Sequence, residues 1–180
     1  MQYQCRWNCQ QDGIFGQRIA HEWMSLERKS PMPIGDICVR DVVTATRGTT
    51  VQQAALLMRE NHVGDLLVVD HVKGDRVPVG IVTDRDIVVA VVALELDPNV
   101  LSIGDIMGVE LQTAVEDQGV FETIHQMRTA GVRRIPVVTR QGSLLGILSI
   151  DDLVQLLAEE MTELAKLISR EQRREASARR

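Results

Sequence analysis

The chain has 180 residues, 44% of them hydrophobic but only 3% aromatic, so it can fill one aliphatic core shared by two halves or two very small domains packed together. Its net charge of −5 excludes a broadly basic face, so the body is not expected to bind nucleic acid. The apolar run at 87–96 is too short to span a membrane, no secretory signal pattern opens the sequence, and an odd three cysteines (Cys5, Cys9 and Cys38) fit a reducing cytoplasm.

Residues 1–33 form an extension, non-native or a linker, with a weak helical pattern over 14–26 that places Ile19, Trp23 and Leu26 on one stripe. Cys5, Cys9 and His21 lack metal-ligand spacing, so no metal is predicted. Ser30-Pro31-Met32-Pro33 ends the pattern. A short segment over 37–44 leads to a predicted helix over 51–60, with Val51, Ala54, Ala55 and Met58 on one face. A buried strand is predicted over 66–69, then a loop over 71–78, a second strand over 79–82 and a helix starting near Asp84. Pro98-Asn99 separates this half from the next. The second half reads alike: a segment over 106–113, a helix over 120–129, strands over 135–138 and 145–148, and a helix from Ile150. That last helix continues as a stripe of Leu153, Leu156, Leu157, Met161, Leu164 and Ile168, which needs a cover, either the leader or another subunit. The terminal stretch carries five arginines against two glutamates and reads as a solvated tail at the end of a helix dipole.

The halves are copies. Ile34-Gly35-Asp36-Ile37 recurs as Ile103-Gly104-Asp105-Ile106, and at that spacing twelve of 36 positions are identical, through Val68-Val69 and Val137-Val138. Two copies of one unit, strand-helix-strand-strand-helix, are therefore expected to bury their apolar faces against each other. The predicted divisions are repeat 1 over 34–97, repeat 2 over 98–158, and a C-terminal helix and basic tail over 159–180.

Chemistry is sought at the strand-to-helix corners. Thr83-Asp84-Arg85-Asp86 and Ser149-Ile150-Asp151-Asp152 each place a hydroxyl at the start of a helix and a carboxylate three residues on. Such a pattern caps a helix. The same geometry also suits a nucleoside phosphate, with the helix N-terminus and hydroxyl toward phosphate and the aspartate toward the ribose hydroxyls. From the motif alone capping carries the larger share. No nucleophile is paired with a base, and glycine-rich phosphate-loop and dinucleotide fingerprints are absent, so no enzyme activity is predicted.

The stretch 34–157 resembles a tandem pair of CBS domains, a Bateman module. The resemblance rests on the two Ile-Gly-Asp-Ile openings, the run from Gly131 to Val138 and the run from Gly80 to Ile87. It implies an α/β (α+β) fold in which two CBS repeats pack as a pseudo-twofold disc, with the leader and the long C-terminal helix outside it. It further implies a regulatory module that senses adenosine-containing ligands (AMP, ADP or ATP, in some members S-adenosylmethionine or NAD) in clefts between the repeats, homodimerises and signals to an effector protein. Carried over by position, Thr83 and Ser149 hold phosphate, and Asp86 and Asp152 hold ribose. Thr44, Thr113, Val63 and Val132 approach the base. Arg133 and Arg134, just before the strand that contains Pro136, face phosphate, and His62 lies beside the first cleft. Asp65 stands where repeat 2 has Arg134, and unit charges about 4 Å apart interact by roughly 4 kcal/mol at an effective dielectric near 20. The second site is therefore expected to prefer the more phosphorylated ligand, the first taking a less charged one or staying empty unless Arg85 compensates. The alternatives are an interaction module with vestigial clefts and, more remotely, a nucleotide hydrolase.

Overall fold

The computed structural model describes residues 32–108 and 110–178; the leader pattern over 14–26 and the Cys5, Cys9 and His21 group lie outside the described residues. A 3-10 turn, Ile34–Asp36, opens the first half. It is followed by β1 (Thr44–Ala45), α1 (Val51–Asn61), β2 (Asp65–Val72), β3 (Asp75–Thr83) and α2 (Asp84–Ile87), which continues as a π-helical turn, Val88–Val92. The second half repeats the order: α3 (Ile103–Ile106), β4 (Ala114–Val115), α4 (Val120–Ala130), β5 (Arg134–Val138), β6 (Leu144–Ser149) and α5 (Ile150–Ala178). Val51, Ala54 and Met58 of α1 are buried, as are Val120, Thr123 and Met127 of α4, so the 3.6-residue pattern faces the core as expected.

Each half folds as a three-stranded sheet, β1-β2-β3 or β4-β5-β6. The outer pair is parallel and the hairpin antiparallel, and both hairpins shift register at the same repeat position, Val68/Val69 and Val137/Val138. Leu67, Val69 and Leu144, with Val42, Ile81 and Ile147 against them, form the apolar cluster where the two sheets meet.

The openings cross over. Ile34 and Gly35 donate their N–H groups to the carbonyls of Gln118 and Glu116 (both 2.9 Å), in the second half. Ile103 and Gly104 donate to Thr49 (2.8 Å) and Arg47 (3.0 Å), in the first. Accordingly Ile34 and Cys38 are buried in the core built on α4, β5 and β6, while Ile103 is buried in that built on α1, β2 and β3. A Cβ on Gly35 or Gly104 stands 2.9 Å from the Glu116 or Arg47 carbonyl oxygen, so glycine is what lets the openings dock. Val39 then exchanges two backbone hydrogen bonds with Ile147 (both 2.9 Å), laying the first half's chain along the edge of β6.

The structure corrects two expectations. The loop over 71–78 is strand except for its tip: His71 and Val72 pair with Arg76 and Asp75, and only Lys73 (φ 53°) and Gly74 (φ 94°) turn. Two residues at positive φ make the tight turn whose twist suits a hairpin, so a charged, exposed segment that reads as loop extends the ladder. The stripe on α5 also divides. Leu153 is buried and Leu156 packs on the core of the second half, whereas Leu157, Met161, Leu164 and Ile168 are exposed. No helix among the described residues is long and apolar enough to cross a membrane.

Candidate functional site at the strand-to-helix corners

At the first corner β3 runs directly into α2. The Thr83 Oγ1 donates to Asp86 Oδ2 (2.7 Å), the Thr83 N–H donates to the same oxygen (2.8 Å), and the Asp86 N–H donates back to Thr83 Oγ1 (3.2 Å). At the second, between β6 and α5, Ser149 and Asp152 repeat these bonds at 2.5, 2.8 and 3.2 Å. Both are closed capping boxes. Each aspartate keeps its Oδ1 without a partner among the described residues. Capping boxes are not confined to these corners: Ser102 donates through Oγ (2.7 Å) and N–H (2.9 Å) to Asp105 at the start of α3, holding that carboxyl below its ordinary pKa. The pattern by itself is thus a helix-starting device, and what distinguishes the corners is what lies beside them.

Beside each corner lies the turn that ends the preceding long helix. Asp84 donates its N–H to the Gly64 carbonyl (3.0 Å) and Ile150 to the Arg133 carbonyl (2.9 Å). These equivalent bonds bring the 62–65 turn against Thr83 and Asp86, and the 131–134 turn against Ser149 and Asp152. Val63 and Val132 pack their side chains onto the two cores and donate their N–H groups to Met58 (3.0 Å) and Met127 (3.1 Å). Pro136 is buried in β5. Thr44, in β1, is paired with Leu67, one strand away from the corner. Thr113 precedes β4, and its carbonyl accepts from Gln126 Nε2 (3.0 Å).

His62 is exposed and holds the left-handed cap of α1 at φ 54°, where the equivalent residue at the end of α4 is Gly131 at φ 68°. A side chain in that conformation costs on the order of 1 kcal/mol. His125 is exposed on α4.

The charges at positions 65 and 134 do not act in separate clefts. Arg134 Nε lies 3.0 Å from Asp65 Oδ1, so equivalent residues of the two repeats meet across the approximate twofold axis. The Asp65 side chain is 13% exposed and that of Arg134 38%. Burial pushes the Asp65 carboxyl above its ordinary pKa; Arg134 pulls it down and the charge of Asp84 pushes it further up. Asp65 therefore neutralises Arg134, and the two charges do not act on separate ligands as the sequence alone suggests. Arg133 is exposed and, among the described residues, has no ion-pair partner. Arg85 is likewise exposed. Sequence reasoning missed the pair, yet a signal was present: opposite charges at equivalent positions of a symmetric repeat are free to meet if those positions lie on the axis.

No group of three or more histidine, cysteine or acidic side chains suited to a metal occurs among the described residues. Buried Cys38, whose thiol burial pushes up, packs at the crossover instead.

Comparison with known proteins accords with this geometry. Residues 34–93 and 103–159 each match the CBS domain. An uncharacterized protein of Bacillus subtilis, YlbB, is 38% identical over 132 residues, covering 73% of this chain and 85% of that protein. The uncharacterized protein MK0525 of Methanopyrus kandleri is 35% identical over 123 residues, which is 68% of this chain but only 61% of that relative's length. Among solved structures, the CBS domain protein PAE2072 of Pyrobaculum aerophilum, complexed with AMP, superposes with a TM-score of 0.62 at 26% identity, covering 71% of this chain and 99% of that one. The chain belongs to the CBS domain family and carries two CBS domains in tandem.

Proposed function

We propose that this chain is a regulatory module that binds an adenosine-containing nucleotide of the AMP, ADP or ATP class at its strand-to-helix corners, self-associates and passes the bound state to an effector protein. The observation that carries the reading is the duplicated corner: a hydroxyl and a carboxylate at a helix start, each held by a backbone hydrogen bond against the turn that ends the preceding long helix. The AMP complex of PAE2072 supports the choice of ligand class; S-adenosylmethionine and NAD share its adenosine part. Asp86 and Asp152 retain an oxygen for ribose, Thr83 and Ser149 sit where phosphate meets helix N–H groups, and Val63 and Val132 offer carbonyls to the base. Arg133 gives the second corner a cation that Gly64 denies the first, so the second corner takes the more highly phosphorylated ligand. Arg134, tied to Asp65, contributes less. The module performs no reaction in this reading and works in the cytoplasm. Binding shifts the relation of the two halves, whose openings are interlocked.

A second reading has its own observation: the corner hydroxyls are fully engaged in caps, as at Ser102, which suits an interaction module with vestigial clefts. Thermal unfolding with AMP, ADP, ATP, NAD and S-adenosylmethionine separates the two. A ligand at about a hundred times its dissociation constant adds roughly 2.7 kcal/mol, several degrees for a domain of this size. A shift with one nucleotide that Asp152→Ala removes supports the sensor; no shift with any of them favours the interaction module.

A further inference from the structure

Helix α5 runs from Ile150 to Ala178, far past the last residue that touches the core. Along it Val154, Leu157, Met161, Leu164 and Ile168 recur at alternating steps of three and four, the spacing of a coiled-coil seam. All five are exposed, at 60%, 38%, 70%, 61% and 55%. The body is met by Leu153 and Leu156, on the flank of this seam in the first two turns of the helix. The body thus covers the flank of the helix's apolar side at its start and leaves the seam itself bare. A continuous uncovered seam is the mark of an association surface.

Charge selects the occupant. Asp151, Asp152, Glu159, Glu160 and Glu163 occupy the first half of α5 with no cation among them. Lys166, Arg170, Arg173 and Arg174 occupy the second half, with Glu171 and Glu175. A parallel partner of the same sequence sets carboxylates on carboxylates, whereas an antiparallel one sets each acidic half on a basic half. Ala158 and Ala165, one heptad apart at one flank of the seam, present little bulk to an approaching helix.

We propose that α5 pairs with α5 of a second copy of this chain, antiparallel, with Leu157 of one copy against Ile168 of the other and Met161 against Leu164. This specifies the self-association in the proposed function and is independent of nucleotide binding.

The test uses the full chain with Cys5→Ser and Cys9→Ser, so that buried Cys38 is the remaining native thiol. Light scattering and sedimentation are expected to give twice the chain mass. Met161→Glu with Leu164→Glu, at exposed positions, weakens association at least tenfold while thermal unfolding of the body stays within a degree or two. Raising salt from about 50 mM to about 500 mM weakens association, because the attraction between unlike halves is screened. Under oxidation, Leu157→Cys mixed with Ile168→Cys cross-links, and neither does so alone. A monomeric chain overturns both the seam and self-association. A dimer that survives the double glutamate change overturns the seam alone. Cross-linking of Leu157→Cys by itself, or association that strengthens with salt, overturns the antiparallel arrangement.

Discussion

Repeat 1 and repeat 2 share a fold and differ where they meet something else. Their cores are interchangeable in kind, and even the hairpin register shift recurs at equivalent positions. The differences gather at the corners and the ends: His62 against Gly131, Gly64-Asp65 against Arg133-Arg134, a two-residue hairpin tip against a longer one, and a short α2 against a 29-residue α5. Packing that both copies need has stayed alike, while surfaces and charges with a single use have diverged. An internal repeat therefore carries its own control, since each difference can be tested against the residue at the equivalent position.

The largest expected effect concerns the crossed openings. Ile34→Ala and Ile103→Ala each remove a fully buried side chain and cost about 2–5 kcal/mol. Because each opening is buried in the other half, native-state hydrogen exchange is expected to show Ile34→Ala loosening β5 and β6 before β2 and β3, and Ile103→Ala the reverse. Loosening of each variant's own half contradicts the crossover.

Next come the equivalent glycines of β3 and β6. A Cβ on Gly146 meets the Val39 carbonyl oxygen at 2.6 Å and Cys38 Sγ at 2.7 Å, while one on Gly80 meets the Met107 side chain at 2.5 Å. Backbone cannot yield as a methionine can, so Gly146→Ala is expected to cost about 3 kcal/mol and Gly80→Ala about 1 kcal/mol. Denaturant unfolding of the two variants ranks them, and equal costs break the comparison.

The Asp65–Arg134 pair is partly exposed, so its loss costs less than that of a fully buried pair: Arg134→Ala is expected to destabilise by about 1–2 kcal/mol. The charge exchange Asp65→Arg with Arg134→Asp restores most of it in a double-mutant cycle. The pH dependence has a defined sign. An acid whose pKa is raised by folding binds more protons folded than unfolded, so its contribution is full below the ordinary value of 3.8 and falls as pH rises through the raised one. Asp65→Asn is therefore expected to gain on the wild type as pH rises from about 3 to about 6. The paired melting curves should converge or cross in that direction, and a flat difference refutes the assignment.

The smallest effect is at His62. Giving repeat 1 the glycine that repeat 2 has, His62→Gly, relieves a left-handed side chain and is expected to stabilise by about 0.5–1 kcal/mol. If His62 also touches the ligand, the same variant melts higher alone and gains less from nucleotide.

Much of this architecture is legible in the sequence because cores impose a period. Val51, Met58, Val68 and their equivalents recur at one spacing, and α1, α4, β5 and β6 fall within a residue of the pattern, whereas β2 and β3 run three to four residues longer and the entry strands begin only at Thr44 and Ala114. The crossed openings are not legible, because adjacency in sequence assigns Ile34 and Ile103 to their own repeats and only close backbone approach at Gly35 and Gly104 reveals otherwise. The hairpin extension over 71–78 hides behind exposed polar residues that a ladder tolerates as well as a loop does. At the corners the residues could be named but not weighed. Thr83 and Asp86 look the same in sequence whether they cap or bind, and the pairing of Asp65 with Arg134 depends on a symmetry axis that no local pattern records.

The most direct test of the central claim is isothermal titration of the full chain with the nucleotide that gives the largest thermal shift, repeated on Asp86→Ala and Asp152→Ala. Asp152→Ala is expected to weaken binding of the more phosphorylated ligand at least tenfold, with Asp86→Ala having the smaller effect. Binding left unchanged by both substitutions, or no binding by any adenosine-containing ligand, contradicts the claim.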